Sequence, residues 1–73
     1  MKNYERRFLV EYLELYVRIK NLEEYIERRR AGKDEGVCGL DLLELQLKSM
    51  RQYQTILETR AYIEGIDLQD PEL

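Results

Sequence analysis

Hydrophobic residues in the first half of the chain recur at alternating intervals of four and three positions. They are Phe8, Tyr12, Leu15, Ile19, Leu22 and Ile26. This heptad spacing puts all six on one side of an α-helix, as in helices that pack lengthwise against a partner. Asn3 has a side chain suited to an N-cap, and Gly32 follows three arginines, as a C-cap glycine does. The pattern predicts a first helix over residues 3–31.

A turn and a second helix follow. Three glycines interrupt the helical periodicity between residues 32 and 40, which indicates a turn. Asp41, with Glu44 three positions later, has the form of a capping box, and the helix that it opens is predicted over residues 41–64, ending at Gly65. A second hydrophobic seam runs along this helix. It consists of Leu43, Leu47, Met50, Leu57 and Ala61, with Gln54 as a polar interruption.

The two seams predict an all-α protein, an antiparallel two-helix hairpin that assembles into a helical oligomer. Residues 1–66 form a single domain, and the chain from Ile66 onward is expected to be loosely ordered, with residues 67–73 as a short C-terminal tail.

Charge is divided unevenly between the halves of the chain. Residues 1–33 carry nine Lys and Arg against six Glu, whereas residues 34–73 carry three against nine Asp and Glu, and the net charge is −3. Two complementary helices packed antiparallel explain this split; the other interpretation is that the basic half meets an anionic ligand. An acidic chain argues against a long nucleic acid as partner.

Each helix also carries more hydrophobic residues than one seam can use. The additional ones are Leu9, Val10, Leu13, Tyr16, Val17 and Tyr25 in the first helix and Leu42, Leu45, Tyr53, Ile56, Tyr62 and Ile63 in the second. With one cysteine and no histidine, neither an intrachain disulfide nor a structural zinc site can stabilise the 73-residue chain. We therefore expect a homo-oligomer, either a dimeric four-helix bundle or a larger assembly.

Residue types that carry out catalysis are missing from the pattern. There is no histidine, no nucleophile–base set, no glycine-rich phosphate loop and no cluster of metal ligands. We expect no enzymatic activity and no cofactor, and we interpret Cys38, which lies in the turn without a neighbouring base, as incidental. A free thiol and a charged N-terminal region favour a cytoplasmic location, and no stretch is apolar enough for a membrane span.

Two residues stand out as candidates for ligand binding. Tyr4 lies beside Lys2, Arg6 and Arg7, and an aromatic ring next to cations at a helix N-terminus suits a base with its phosphate. The alternative is a hydrophobic staple that closes the helix end. Arg60 has a planar guanidinium that can hold a phosphate where chains meet, and an inter-chain salt bridge is the equally supported alternative.

The other tyrosines of the six are assigned by their position relative to the seams. Tyr12 and Tyr53 fall on or beside a seam and are predicted to lie in the core. The remaining three flank the seams and are predicted to line interfaces between chains. They are Tyr16, Tyr25 and Tyr62.

Residues 4–66 resemble a family of small bacteriophage helical-hairpin proteins that includes the anti-CBASS cyclic-nucleotide sponges. The resemblance is carried by YERRFLVEYLELYVRIKNLEEYI in the first helix and LLELQLKSMRQYQTILETRAYIEGI in the second. It implies a hexamer in the host cytoplasm that sequesters cyclic di- or trinucleotide immune signals without degrading them.

The resemblance also implies roles for single residues. Tyr4 resembles the family's base-stacking tyrosine, and Lys20 resembles its phosphate-contacting lysine, with Asn21 as the competing register. Arg60 resembles the arginine that lines a separate pocket at a three-fold junction. With Arg7, these residues form the predicted ligand site. The alternative function is a non-catalytic helical-bundle adaptor that binds a protein or an RNA partner.

Overall fold

The computed structural model describes residues 3–33 and 35–68. This part of the chain forms two helices and no strand, α1 over Asn3–Arg30 and α2 over Leu40–Glu64. They pack against each other as an antiparallel hairpin, because residues near the start of α1 contact residues near the end of α2. The all-helical hairpin is therefore confirmed.

Both C-terminal caps are glycines in the left-handed conformation, as predicted. Gly32 has φ 75° and Gly65 has φ 71°, values that other residues adopt only with strain. After α1, the amide of Lys33 donates to the carbonyl of Arg28 at 2.9 Å, and after α2 the amide of Ile66 donates to the carbonyl of Ala61 at 2.9 Å. These backbone hydrogen bonds satisfy carbonyls that a helix end leaves free.

The two predicted N-caps were wrong. Asn3 already lies within α1, and the position before it is outside the described residues. At α2 the cap is Gly39, in an extended conformation and without a side-chain hydrogen bond, and Asp41 lies in the first turn. Glu44 does not bond back to the helix start, because its carboxylate pairs with Arg30 on α1. The ion pair between helices replaces the local capping bond.

The core lies between the helices and continues past the end of α2. Its cluster consists of Phe8, Leu9, Leu15, Ile19, Leu57, Ala61 and Ile66. Tyr12, Leu47, Met50 and Leu68 pack against it. The predicted seams are thus the buried faces, with Leu57 at the centre and fully enclosed.

Two residues are more buried than expected. Leu9, one of the additional hydrophobic residues outside the predicted seam, is 2% exposed, and Ile66, expected in a loosely ordered segment, is 7% exposed. The Gly65 cap turns the chain so that Ile66 joins the core cluster at the same end as Leu9. This widens the buried sector of α1 beyond one heptad stripe. Residues 69–73 of the predicted tail lie outside the described residues.

Most of the other additional hydrophobic residues, those outside the two predicted seams, are exposed. On α2 the aliphatic residues among them follow a second heptad spacing, on a side of the helix away from the core. They are Leu42, Leu45, Ile56 and Ile63, each at least half exposed. On α1, Val10 and Val17 are exposed as well, while Leu13 and Tyr25 are half-buried. The hairpin alone does not bury these side chains.

The turn is held by Arg29. Its Nη2 donates to the carbonyl of Cys38 at 2.7 Å, and its Nη1 donates to the hydroxyl of Tyr25 at 3.3 Å. A Cβ at Gly36 would lie 2.6 Å from that hydroxyl, so a larger residue there would displace the ends of the Tyr25 and Arg29 side chains. The Cys38 thiol is exposed.

Replacing Leu57 by alanine should lower the free energy of unfolding by about 2–5 kcal/mol, since a fully enclosed leucine leaves a cavity when it is truncated. Urea denaturation at fixed protein concentration measures this. Gln52→Ala, at an exposed site on the same helix, is the control and should change stability by less than about 0.5 kcal/mol. A loss below about 1 kcal/mol for Leu57→Ala would contradict the central position of this residue.

Candidate ligand-binding site

Four side chains meet where α1 begins and α2 ends. They are Tyr4, Phe8, Arg60 and Glu64, and we call them the open-end cluster. The Tyr4 hydroxyl donates to Oε1 of Glu64 at 2.7 Å and accepts from Nη2 of Arg60 at 2.9 Å. Arg60 Nε lies 3.5 Å from Oε2 of Glu64. A closed ring of polar contacts therefore joins one tyrosine, one cation and one carboxylate.

Phe8 is the floor of the open-end cluster. The guanidinium carbon of Arg60 lies 5.0 Å from the centre of the Phe8 ring, a cation–π distance, and the Tyr4 ring is tilted against the same ring at 6.3 Å. Phe8 itself is buried in the core. The cluster thus rests on the hydrophobic core, which limits the positions that the two overlying side chains can take.

Helical spacing and antiparallel packing bring this cluster together. Tyr4 and Phe8 are one turn apart on α1, and Arg60 and Glu64 are one turn apart on α2, so each pair shares a face. The chain reverses at the turn, and the start of α1 then lies beside the end of α2. The Tyr4 hydroxyl and the Glu64 charge raise the pKa of the Arg60 guanidinium further above its ordinary high value.

The cluster is accessible from solvent. Tyr4 is 45% exposed, and the Arg60 side chain is 46% exposed. A flat aromatic face beside a guanidinium can stack on a base and hold a phosphate. The same two residues also have structural contacts. Tyr4 packs against Phe8, as a residue that closes the helix end does, and Arg60 forms its ion pair within the chain, with Glu64.

The four predicted site residues do not converge within one chain. Lys20 lies 16 positions after Tyr4 on α1, about 24 Å away along a helix that rises 1.5 Å per residue. Its Nζ is 5.7 Å from the centre of the Tyr16 ring, and it lines a groove of about 810 Å³ between the helices. Arg7 is exposed and has no hydrogen bond or ion pair with residues 3–33 or 35–68. Only Tyr4 and Arg60 are in contact, although the resemblance puts them in separate pockets.

Sequence reasoning missed the part played by glutamates in positioning the tyrosines. Tyr12, predicted to be a core residue, is half-buried, and its hydroxyl donates to Oε2 of Glu58 at 2.6 Å. Tyr53, also predicted to be in the core, is 39% exposed, and its hydroxyl donates to Glu11. These tyrosine–glutamate pairs could have been predicted from the antiparallel packing, which brings early positions of α1 beside late positions of α2.

These contacts change the acidity of the phenols. Burial raises the pKa of Tyr12 to about 12, with the hydrogen bond to Glu58 and its negative charge adding to the effect. For Tyr53, the hydrogen bond to Glu11 is the main cause of a raised pKa. Both hydroxyls therefore act as hydrogen-bond donors at neutral pH.

Residues 3–33 and 35–68 contain no group of three or more side chains placed to hold a metal ion. Neither helix, among the residues described, has the length and apolar character needed to cross a membrane.

Fold and site together define a small helical-hairpin protein with an aromatic and cationic surface at one end. The profile of the Sequestin family matches residues 2–63, and the chain belongs to this family, the phage anti-CBASS cyclic-nucleotide sponges. The resemblance drawn from the sequence is thereby confirmed. No match to a curated protein or to a solved structure accompanies it.

Tyr12 should titrate with a pKa of about 12 in the folded protein. A tyrosine pKa raised by folding stabilises the native state fully below about pH 10, the unfolded value, and this contribution is lost as pH rises from about 10 to 12. Absorbance of the tyrosinate anion measures the titration. The part of the absorbance change that occurs at the highest pH should be missing in Tyr12→Phe and present in Tyr62→Phe. If it is still present in Tyr12→Phe, the assignment to Tyr12 is wrong.

Proposed function

We propose that this chain binds cyclic di- or trinucleotides, the immune signals of an infected host, and sequesters them in the host cytoplasm without cleaving them. Membership of the Sequestin family supports a role in sequestering cyclic nucleotides. The single observation that carries the finer proposal is the exposed Tyr4 side chain, whose hydroxyl accepts a hydrogen bond from the Arg60 guanidinium. Bases and phosphates alternate in such ligands, and this pair offers one group for each.

Sequestration requires tight binding rather than chemistry. The ligand is removed from solution when the protein is in excess and the complex lasts, so affinity alone determines how much signal remains free. A stacking face and a charge-assisted hydrogen bond both contribute to affinity without activating a nucleophile. The proposal therefore assigns no catalytic residue.

Self-association is part of the proposal. One hairpin presents a convex surface and cannot surround a ring-shaped ligand, whereas symmetric contacts bring two or three copies of a residue around one point. The exposed heptad positions of α2, among them Ile56 and Ile63, supply apolar surface for such contacts. Because Tyr4 and Arg60 are in contact, an axis beside them brings copies of both residues together. A two-fold axis would match the two bases and two phosphates of a dinucleotide, and a three-fold axis the three of each in a trinucleotide.

The purified protein should have a mass well above 8.9 kDa in light scattering at micromolar concentration. Ile56→Asp should shift it toward the monomer, because the exposed aliphatic side chain that promotes association becomes charged. Cys38→Ser, in the exposed turn, is the control and should leave the mass unchanged. A folded monomer for the parent protein would refute the oligomer.

Tyr4→Ala should weaken binding of a cyclic dinucleotide by about 2–6 kcal/mol, since stacking contributes about 1–3 kcal/mol per base and two bases are involved. Calorimetry with cyclic di-adenylate measures this, and light scattering checks that the oligomer persists. Tyr4→Phe keeps the ring and should retain most of the affinity.

The two failures of this experiment have different meanings. If Tyr4→Ala binds as tightly as the parent, Tyr4 is structural and the binding face lies elsewhere. If the parent binds no member of a panel of cyclic di- and trinucleotides with adenine, guanine and uracil bases, the sponge proposal is wrong for this chain, and the adaptor function takes its place.

A further inference from the structure

The guanidinium of Arg60 already has an anion beside it in the free chain. Nε of Arg60 lies 3.5 Å from Glu64, and Nη2 lies 2.9 Å from the Tyr4 hydroxyl. Nε and Nη2 form one edge of the guanidinium, and such an edge binds the two oxygens of a carboxylate or phosphate in parallel. In the free chain, Glu64 and Tyr4 occupy the positions on this edge that the oxygens of a bound phosphate would take.

Helix stability does not account for Glu64 at this position. It is the last residue of α2, where the helix dipole disfavours a carboxylate, and the last turn of α2 contains no basic residue. Arg60 precedes Glu64 by four positions, which is the less favourable order for an ion pair within a helix. The carboxylate is held instead by the Tyr4 hydroxyl, at 2.7 Å, and by Arg60.

The geometry points to Glu64 as a built-in counterion that the ligand's phosphate must displace from Arg60, so that Glu64 limits affinity and selects against weakly charged ligands. This inference rests on the proposed function and adds a residue to it. A ligand with several phosphates in a fixed ring can replace Glu64 at several symmetry-related arginines at once. A ligand with one phosphate replaces Glu64 at one arginine only, and therefore gains less binding free energy.

Glu64 has a second effect that a test must separate from the first. Its Oε1 accepts the Tyr4 hydroxyl and so helps to hold the Tyr4 ring in place. Glutamine at this position keeps an oxygen that can accept the same hydrogen bond and removes only the charge. Glu64→Gln therefore tests the counterion, while the position of Tyr4 is retained.

The salt dependence of binding gives a second readout. With Glu64 present, Arg60 and Glu64 together have no net charge, and an incoming phosphate experiences little long-range attraction from them. Without the carboxylate, the attraction between Arg60 and the phosphate is uncompensated, and salt screens it. A change that acted only on the fold would not alter the slope of affinity against salt concentration in this way.

The experiment compares the parent with Glu64→Gln by calorimetry at several salt concentrations. The probe is the cyclic nucleotide of the panel above that loses most affinity in Arg60→Ala. Glu64→Gln should bind that probe about three- to tenfold more tightly at low salt, and its affinity should fall more steeply as salt is added. Glu58→Gln is the matched control, because this carboxylate of α2 also accepts a tyrosine hydroxyl, that of Tyr12, away from Arg60. It should leave both quantities unchanged.

Each other outcome has a defined meaning. Unchanged or weaker binding by Glu64→Gln overturns the assignment of Glu64 as a counterion, and so does a parent that binds members of the panel when Arg60→Ala weakens none of them. A parent that binds no member of the panel overturns the proposed function and this inference with it. If Glu64→Gln loses its cooperative thermal transition, Glu64→Asp is used instead. Its shorter side chain withdraws the charge from Arg60 and should give a smaller tightening in the same direction.

Discussion

A hairpin of two helices can bury only one stripe of each helix, and this constraint shapes the rest of the molecule. The buried stripes meet around Leu57, which has no exposed surface. Hydrophobic side chains outside these stripes are not buried by the contact between the two helices. Ile66 adds cover at the open end by folding back after Gly65. The remaining aliphatic side chains of α2 stay on the surface, and the proposed self-association would cover them.

Polar contacts between the helices fix their register once the stripes have met. Tyr4 with Glu64, Tyr12 with Glu58 and Arg30 with Glu44 all cross from α1 to α2. Arg51 with Glu23 crosses in the opposite sense, with the cation on α2. The uneven division of charge along the chain therefore explains only some of the ion pairs. Exposed pairs contribute little free energy each, but together they disfavour a shifted register.

The helices and their seams could be predicted from the sequence because heptad spacing and left-handed glycine caps are local signals. The cap of α2 could not, since Glu44 can bond either to the helix start or to Arg30, and only the packed hairpin decides between them. Leu9 was misplaced for a similar reason, because its burial depends on where Ile66 lies. At the open end, Tyr4 and Arg60 could each be singled out by residue type. Their contact, and the presence of Glu64 between them, follow from the antiparallel register.

The charge balance at the open end bears on how an anionic ligand would approach it. The chain as a whole is acidic, with a net charge of −3, and the Arg60–Glu64 pair has no net charge of its own. Arg6 and Arg7 are exposed at the same end, on the first turns of α1. The charge of each acts over about one Debye length, roughly 8 Å at physiological salt. In the proposed function, long-range attraction and short-range contact would fall to different residues. The exposed arginines of α1 would attract the ligand, and Tyr4 and Arg60, which pack on Phe8, would contact it.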